Sequence, residues 1–265
     1  MSSSAYPTLE ELTRAELVQI ADDHDDQAFA HVFRNHSCFR ESEGFCEFIT
    51  GIKNPYANML FGLNVPEAEK SAREITSRLA NDEIPGYWWV GPLTQPSHLG
   101  SILTEKGWAG PYPVPAMVVD IDLLPESVGP SGLEIRPVTT SAELEIWLKA
   151  VADGYGLPQE VANLLSTPAS EEFIPYTAFL DGQAVGTTAV FFHAGIAGIY
   201  CVATLPEFRG RGIGAAITAM PLIWARAKGY RIGTLQASSM GYPVYKRLGF
   251  QDVCSLSLFT LGVAH

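Results

Sequence analysis

The chain has 265 residues, of which 47% are hydrophobic, and this supports one large core or two ordinary ones. Its formal net charge of −12 argues against a general nucleic-acid-binding protein, because such proteins carry surplus lysine and arginine. No apolar run approaches the ~20 residues needed to cross a bilayer, and the N-terminus lacks a signal-peptide pattern. We therefore expect a cytoplasmic protein without nucleic-acid or membrane partners.

The cysteines give no sign of a metal centre. Cys38, Cys46, Cys201 and Cys254 are scattered along the chain, and we expect them to be reduced. His36 lies near the first two cysteines, but the spacing is not that of a zinc site. We predict no metal cofactor.

The first part of the chain is expected to alternate helices and strands. Apolar residues recur at helical spacing through 9–35, and we expect the acidic run 22–26 to be a solvated loop between two helices. The pattern then predicts a short apolar segment at 45–52, a strand at 58–63, a helix from Pro66 to Leu79 or Ala80, a strand at 87–90, a helix at 96–106 and a strand at 116–123.

A linker rich in proline and glycine is predicted at 125–132. The elements predicted after it are a strand at 133–138, a helix at 143–151 capped by Ser141, a loop with a short helix at 155–166, a hairpin of strands 176–180 and 184–192, a strand at 196–203, a helix at 212–228, a strand at 232–237 and a strand at 253–261.

A glycine-rich turn joins the strand at 196–203 to the helix after it. Its residues are Arg209, Gly210, Arg211, Gly212, Ile213 and Gly214. Glycine lets the backbone approach a ligand closely, and the N–H groups of a first helical turn attract anions. The two arginines add charge that suits phosphate oxygens. The sequence therefore predicts a phosphate site here.

Several interpretations of this turn compete. A P-loop is rejected because Ala215-Ala216 stands where Lys-Ser/Thr is required. A dinucleotide fingerprint is formally satisfied by Gly210, Gly212 and Ala215, but 229–237 contains no acid to hold a ribose. A glycine-rich turn without a ligand is a further alternative. The last interpretation is an Arg-x-x-Gly-x-Gly motif formed by Arg209, Gly212 and Gly214.

That motif resembles the acyl-CoA pyrophosphate loop of the GNAT acetyltransferase superfamily. A second motif, Tyr-Lys-Arg-Leu-Gly-Phe at 245–250, resembles the superfamily's tyrosine helix and the turn after it. The resemblance covers roughly 133–261, about half the chain. It implies an α/β (α+β) GNAT fold, with a mixed, mostly antiparallel central sheet flanked by helices.

The first half of the sequence shows internal similarity to the second half. Residues 103–108 line up with 245–250 at a constant offset, and the preceding strand–helix units correspond. We expect two GNAT-like halves in tandem, with a degenerate domain at 1–125 and a catalytic domain at 133–265. Leu103 replaces the tyrosine, and the turn at 64–67 has neither arginine nor glycine. An unrelated α/β domain is the alternative.

The resemblance implies acetyl-CoA as donor substrate. It implies that the backbone of Val202, Ala203 and Thr204 pairs with the pantetheine arm, that the Val202 N–H contacts the thioester carbonyl, and that 209–214 binds the pyrophosphate. Tyr245 is the candidate general acid, because a phenol of pKa about 10 keeps its proton near neutrality. Ser238 stands where many relatives carry an asparagine that contacts the cofactor.

Other roles stay open at this stage. Lys246 and Arg247 are candidates for the 3′-phosphate, with a solvated helix face as the equal alternative. No general base is evident: His193, Glu171 and Glu172 are weak candidates beside deprotonation through ordered water.

The leading hypothesis is an acetyl-CoA-dependent N-acetyltransferase that acts on a primary amine of a small molecule by direct attack in a ternary complex. The alternatives are a non-catalytic acyl-CoA sensor and, less favoured, a dinucleotide-dependent oxidoreductase. We expect the 155–166 segment, Trp88 and Trp89 to select the acceptor. Monomer and homodimer are both compatible with the sequence.

Overall fold

The computed structural model describes residues 6–126, 128–167 and 170–263. Contacts divide the chain into two compact units. One contains the chain up to Leu17 together with Ala116–Val253, and the other contains Val18–Pro115 together with the chain from Cys254 onward. Within the described residues, no helix is both long and apolar enough to span a bilayer. Of the predicted linker, Ser127 lies outside the described residues.

Both halves of the sequence are mixed α/β. The elements of the first half are α1 (Arg14–Phe33), β1 (Phe39–Ser42), β2 (Phe45–Ile49), β3 (Asn58–Gly62), α2 (Ala68–Asn81), β4 (Gly86–Val90), α3 (Leu99–Glu105) and β5 (Ala109–Asp120). Those of the second half are β6 (Glu134–Pro137), α4 (Ser141–Tyr155), α5 (Gln159–Ala162), β7 (Phe173–Leu180), β8 (Gln183–His193), β9 (Ile196–Thr204), α6 (Ile213–Ala227), β10 (Ile232–Gln236), α7 (Tyr242–Arg247) and β11 (Gln251–Leu261).

The unit built mainly from the first half has the strand order β1-β2-β3-β4-β11. Its pairs are antiparallel except β3–β4, which is parallel. Helices α2 and α3 bury Ile75, Leu79 and Leu103 against one sheet face together with Trp88 and Trp108. Helix α1 places Phe29 and Phe33 against other aromatic rings of the sheet. Trp88 was expected to help select the acceptor, but its side chain is fully buried in this cluster. It therefore packs in the core and is not exposed to an acceptor.

The unit built mainly from the second half has the strand order β5-β10-β9-β8-β7-β6. Only β9–β10 is parallel among these pairs. Its main core contains residues of β5, β9, β10, α6 and α7, including Val119, Ile199, Leu222, Leu235 and Tyr245. The mixed, mostly antiparallel sheet expected from the sequence is confirmed.

The order of elements repeats between the halves. From α1 onward the first half runs helix, three strands, helix, strand, helix, strand, and the second half runs the same way from α4, apart from the short α5. The closing strands are exchanged: Ala116–Asp120 of β5 pairs with β10, and Ser257–Leu261 of β11 pairs with β4. Each compact unit therefore contains most of one half together with the closing strand residues of the other half.

The acidic run was predicted wrongly. Residues 22–26 lie inside the continuous helix α1, and Asp22 and Asp25 are each only 2% exposed. Helical spacing places both on the face that carries Ala21 and Ala28. The Leu93 N–H donates to Asp22 Oδ2 at 2.9 Å. A side chain at Gly91 would collide with the same carboxylate, since a β-carbon there would be 1.6 Å from Oδ1.

Burial changes the acidity of these carboxyls. Desolvation raises the pKa of Asp22 to about 6, with the Leu93 N–H opposing the rise and the Asp23 charge adding to it. Desolvation, with repulsion from Asp22, raises the pKa of Asp25 to about 8. The pKa of Asp26 is raised well above its ordinary value for the same reason. The solvated loop expected from charge alone is therefore a largely buried acid cluster.

Two smaller differences have local causes. Strand β5 begins at Ala109, seven residues before the predicted start at 116. The prediction missed these residues because Pro111, Pro113 and Pro115 interrupt the strand pattern in the sequence. Helix α4 is capped by Thr140 rather than Ser141, since Thr140 Oγ1 accepts from the Glu143 N–H at 3.2 Å and the Glu143 carboxylate bonds back.

Candidate active site

Strands β9 and β10 separate inside the sheet. They pair at only two positions, Ala197 with Gly233 and Gly198 with Thr234. Beyond Gly198, β9 runs on to Thr204 beside β8, whereas β10 stays paired with β5 as far as Gln236. The edge of β9 from residue 199 to residue 204 is therefore not covered by β10. Backbone N–H and C=O groups on such an edge can bind an extended ligand.

A β-bulge lies on β9 within this separated stretch. Thr187 pairs with Ala203 and Ala189 pairs with Tyr200, so Thr188 alone opposes Cys201 and Val202. Cys201 has φ +52°, in the left-handed region that glycine occupies more easily. A bulge re-aims the local backbone. It does so here at Val202, the residue expected to contact the thioester carbonyl.

The glycine-rich turn starts helix α6 with the expected geometry. Gly210 and Gly212 have φ of +76° and +79°, and Gly212 is the N-cap residue before Ile213. Gly214 lies on the first turn near the end of β9, where an added β-carbon would be 3.6 Å from Thr204 Oγ1. The first-turn N–H groups of this 15-residue helix lack intrahelical acceptors. N–H groups in this position attract anions such as the phosphates of a pyrophosphate.

Arg209 is turned toward the protein backbone. Its Nε donates to the Thr204 carbonyl at 3.1 Å, and its Nη2 donates to the Gly154 carbonyl at 3.0 Å. The guanidinium thus ties the turn to the end of β9 and to the last turn of α4. Arg211 is exposed and lies over the Phe208 ring at 5.6 Å. The sequence predicted a phosphate role for both side chains, and the geometry gives Arg209 a structural role.

Tyr245 lies on α7 in the main core of this unit. It is 6% exposed, and desolvation raises its pKa to about 12. It packs in the same cluster as Ile199 and Leu235, the strand residues that follow the separation point, and Val202 packs against that cluster. The structure thus brings the predicted acid and the bulge of β9 into one part of the fold.

Ser238 and Lys246 have partners within the protein. Ser238 Oγ accepts from the Gly241 N–H at 3.1 Å, just before α7 begins. Lys246 Nζ donates to Asp252 Oδ2 at 3.0 Å, and the same oxygen accepts from the Tyr242 hydroxyl at 3.1 Å. The Asp252 carboxylate raises the pKa of Lys246. Arg247 is exposed.

The proposed general bases are far from the bulge. His193 pairs with Ile196, the first residue of β9, which lies about 20 Å along the strand from Val202 at about 3.3 Å per residue. The Glu172 carbonyl accepts from the Phe192 N–H at 2.7 Å, near the same end of the sheet, and the Glu171 side chain is exposed beside it. The structure does not bring these side chains together with Val202.

Sequence reasoning missed residues that support the site. Gly154 packs against β9 so closely that a β-carbon there would be 2.7 Å from the Ala203 Cβ. Gly129 of the linker lies against α6, with an added β-carbon 2.7 Å from the Ala216 Cβ. A glycine inside a helical pattern, such as Gly154, is a usable signal of close packing. Cys201 carries no such signal.

A separate cleft of about 210 Å³ lies against β5. Its lining includes Leu9, Arg14, Leu17, Val118 and Val253. Val118 alternates along β5 with Met117 and Val119, which pack in the Tyr245 cluster. The cleft therefore opens on the opposite face of this strand, and we do not include it in the donor site. Within the described residues, no group of three or more His, Cys, Asp or Glu side chains is arranged to hold a metal ion.

Comparison with known proteins agrees with this geometry. Residues 172–252 match the family profile described as "Acetyltransferase (GNAT) domain". The match spans the bulged strand, the glycine-rich turn and the tyrosine helix. This part of the chain is therefore similar to GNAT acetyltransferase domains.

Two kinds of relatives are similar to the chain. A mycothiol acetyltransferase from Pseudarthrobacter chlorophenolicus is 25% identical over 145 residues, which cover 48% of this chain and 45% of that protein. The chain thus aligns with less than half the length of this curated relative. A GCN5-related N-acetyltransferase from Kribbella flavida has a TM-score of 0.67 at 18% identity, covering 93% of this chain and 97% of that one.

The tandem arrangement also has a structural counterpart. A tandem GNAT protein from the clavulanic acid biosynthesis pathway has a TM-score of 0.56 at 12% identity, and the match covers 96% of both chains. At this level of identity the likeness concerns the fold. The fold therefore extends over both halves, while the family profile covers only the second.

Proposed function

We propose that the chain is an acetyl-CoA-dependent N-acetyltransferase whose second half carries the reaction. The observation that carries the proposal is the combination of three features in one unit: the separation of β9 from β10, the bulge at Cys201 and Val202, and the glycine turn that opens α6. An uncovered strand edge followed by a helix N-terminus suits a long ligand that ends in a pyrophosphate.

Donor binding is divided between these elements. The backbone of Val202, Ala203 and Thr204 offers hydrogen bonds to the pantetheine arm, and the N–H groups of the turn from Gly210 to Gly214 bind the pyrophosphate. Arg209 holds this turn in shape through its bonds to Thr204 and Gly154. Arg211 supplies exposed positive charge near the phosphates. Bound acetyl-CoA supplies an activated acetyl thioester.

The Val202 N–H is the proposed donor to the thioester carbonyl. A fixed donor aimed at an oxygen that gains negative charge stabilises the transition state. Tyr245 is the proposed acid that protonates the departing thiolate. A pKa of about 12 keeps its phenol protonated throughout the neutral range. Deprotonation of Tyr245 should therefore not lower the reaction rate below about pH 10.

The first half is proposed to be non-catalytic. Leu103 holds the position on α3 that Tyr245 holds on α7, and it is fully buried. The turn before α2 ends at Glu67, an acidic N-cap residue with φ +43°. A carboxylate at that place repels a pyrophosphate.

The proposed acceptor is a primary amine of a small molecule, and its deprotonation is assigned to ordered water. The mycothiol named in the relatives makes mycothiol-related amines a first group to test. A panel of such amines, amino acids and polyamines would be incubated with acetyl-CoA while thiol release is followed.

The matched pair Tyr245→Phe and Tyr242→Phe tests the acid. Both tyrosines lie on α7, but the Tyr242 hydroxyl is bonded to Asp252. Tyr245→Phe should lower kcat by about 100-fold, within the range for a lost general acid, and should leave acetyl-CoA affinity unchanged. Tyr242→Phe should keep the wild-type kcat. Tight acetyl-CoA binding without turnover on any amine would favour the sensor alternative, and full activity of Tyr245→Phe would place the acid elsewhere.

A further inference from the structure

We propose that Thr187 is a positioning residue that aims the Val202 N–H at the donor carbonyl. The inference rests on the proposed function, because it concerns the same reaction. Thr187 lies on β8 opposite Ala203 and is completely buried. Its Oγ1 donates to the Cys201 carbonyl at 2.9 Å.

The bond lies at the bulge. The extra residue on β9 shifts the register between β8 and β9 at Cys201, whose carbonyl accepts a side-chain hydrogen bond. A buried carbonyl without a donor is costly. The Thr187 hydroxyl supplies that donor. It therefore stabilises a backbone conformation, with φ +52° at Cys201, that a non-glycine residue rarely adopts.

The same bond fixes the direction of the Val202 N–H. The Cys201 carbonyl and the Val202 N–H belong to one peptide unit, which is planar and trans, so the two groups point in opposite directions. The carbonyl points toward the Thr187 hydroxyl on β8. The N–H therefore points away from the Thr187 hydroxyl. The edge of β9 away from β8 is not covered by β10 at this residue. Thr187 acts on the reaction only through this peptide unit.

The neighbouring threonine provides a matched control. Thr188 is also completely buried on β8, but its Oγ1 lies 3.5 Å from the Tyr200 carbonyl, at the limit of a hydrogen bond. The Tyr200 carbonyl shares its peptide unit with the Cys201 N–H, not with the Val202 N–H. Replacing Thr188 tests the loss of a buried hydroxyl from the next residue of β8, whose side chain lies on the other face of the strand.

The experiment compares Thr187→Val, Thr187→Ser and Thr188→Val with the wild type. Each is assayed for kcat and KM of acetyl-CoA, well below its melting temperature, and for the affinities of acetyl-CoA and free CoA. Thr187→Val should lower kcat by about 10- to 100-fold, as expected for a misplaced donor. It should also abolish any preference for acetyl-CoA over CoA. Thr187→Ser and Thr188→Val should stay within about twofold of wild type.

The outcomes separate this inference from the proposed function. A wild-type protein that neither binds nor uses acetyl-CoA defeats the proposed function before any variant is compared. An active wild type with an equally active Thr187→Val overturns the role of Thr187. An equal loss in Thr188→Val overturns it as well, because the effect would then be general packing. If Thr187→Val does not fold, Thr187→Ala removes the same hydroxyl and is judged by the same criteria.

Discussion

The ring of Tyr245 lies directly against the backbone of Gly241, one helical turn before it. A β-carbon at Gly241 would be 2.7 Å from Tyr245 Cε2 and 3.0 Å from its Oη. Gly241 has φ −77° and ψ −33°, values that every residue adopts easily. Glycine is therefore required at this position for space, not for backbone conformation. It allows the phenol of Tyr245, the proposed general acid, to lie against this backbone.

Gly241→Ala should move the Tyr245 hydroxyl without removing it. We expect kcat to fall about tenfold, because small displacements of reacting groups are costly, while α7 stays folded. Steady-state kinetics would measure this. In a Tyr245→Phe background the same substitution should add almost nothing, since two changes that act through one group are not additive. Full additivity would show that Gly241 acts by another route.

Arg209 should contribute to the free energy of unfolding through its two hydrogen bonds to backbone carbonyls. Removing its two bonds to the Thr204 and Gly154 carbonyls should lower the free energy of unfolding by about 1–3 kcal/mol in Arg209→Gln. The free energy of unfolding of Arg209→Lys should fall nearly as far, because a lysine ammonium cannot reproduce the forked donors of the guanidinium. The exposed Arg211→Gln should change it by less than about 0.5 kcal/mol. Urea denaturation measures all three, and wild-type stability in Arg209→Lys would contradict a structural role.

The buried acids of α1 should make stability depend on pH. Asp25 ionises near its ordinary pKa of 3.8 when unfolded but only near 8 when folded. The unfolded state therefore binds fewer protons than the folded state between those values, and stability should fall as the pH rises through this range. Asp22, whose pKa is raised to about 6, adds to the fall.

Asp25→Asn should flatten this dependence, because asparagine resembles the protonated acid and does not ionise. The urea midpoint at pH 5 and at pH 8.5 would be compared with that of Asp153→Asn, a change at a carboxylate paired with Lys149 on the surface of α4. The control should keep the wild-type slope. A wild-type midpoint that rises from pH 5 to pH 8.5 would show that Asp25 is ionised in the folded protein.

Local sequence predicted the parts of the site that depend on local conformation. Gly210 and Gly212 mark the turn because their positive φ favours glycine. The Leu-Gly-Phe turn after Tyr245 was implied by the family resemblance, and Gly249 in that turn has φ +95°. The helix after the turn follows from its periodicity.

Contacts between distant segments could not be obtained in this way. The bulge at Cys201 depends on how β9 pairs with β8, and one of the two carbonyls that accept from Arg209 lies on α4. The burial of Asp25 contradicts its charge, since a carboxyl pays a desolvation cost that only the tertiary structure explains. The exchange of β5 and β11 likewise involves pairing between the two halves.

The most direct test of the account is a calorimetric titration of the protein with acetyl-CoA, with NAD as the control ligand. We predict saturable binding of one acetyl-CoA per chain and no binding of NAD. Binding should be lost in Gly212→Val, because a β-branched residue does not tolerate the φ of +79° at this N-cap. Failure to bind acetyl-CoA, or preferential binding of NAD, would contradict the assignment of the glycine turn and the mechanism built on it.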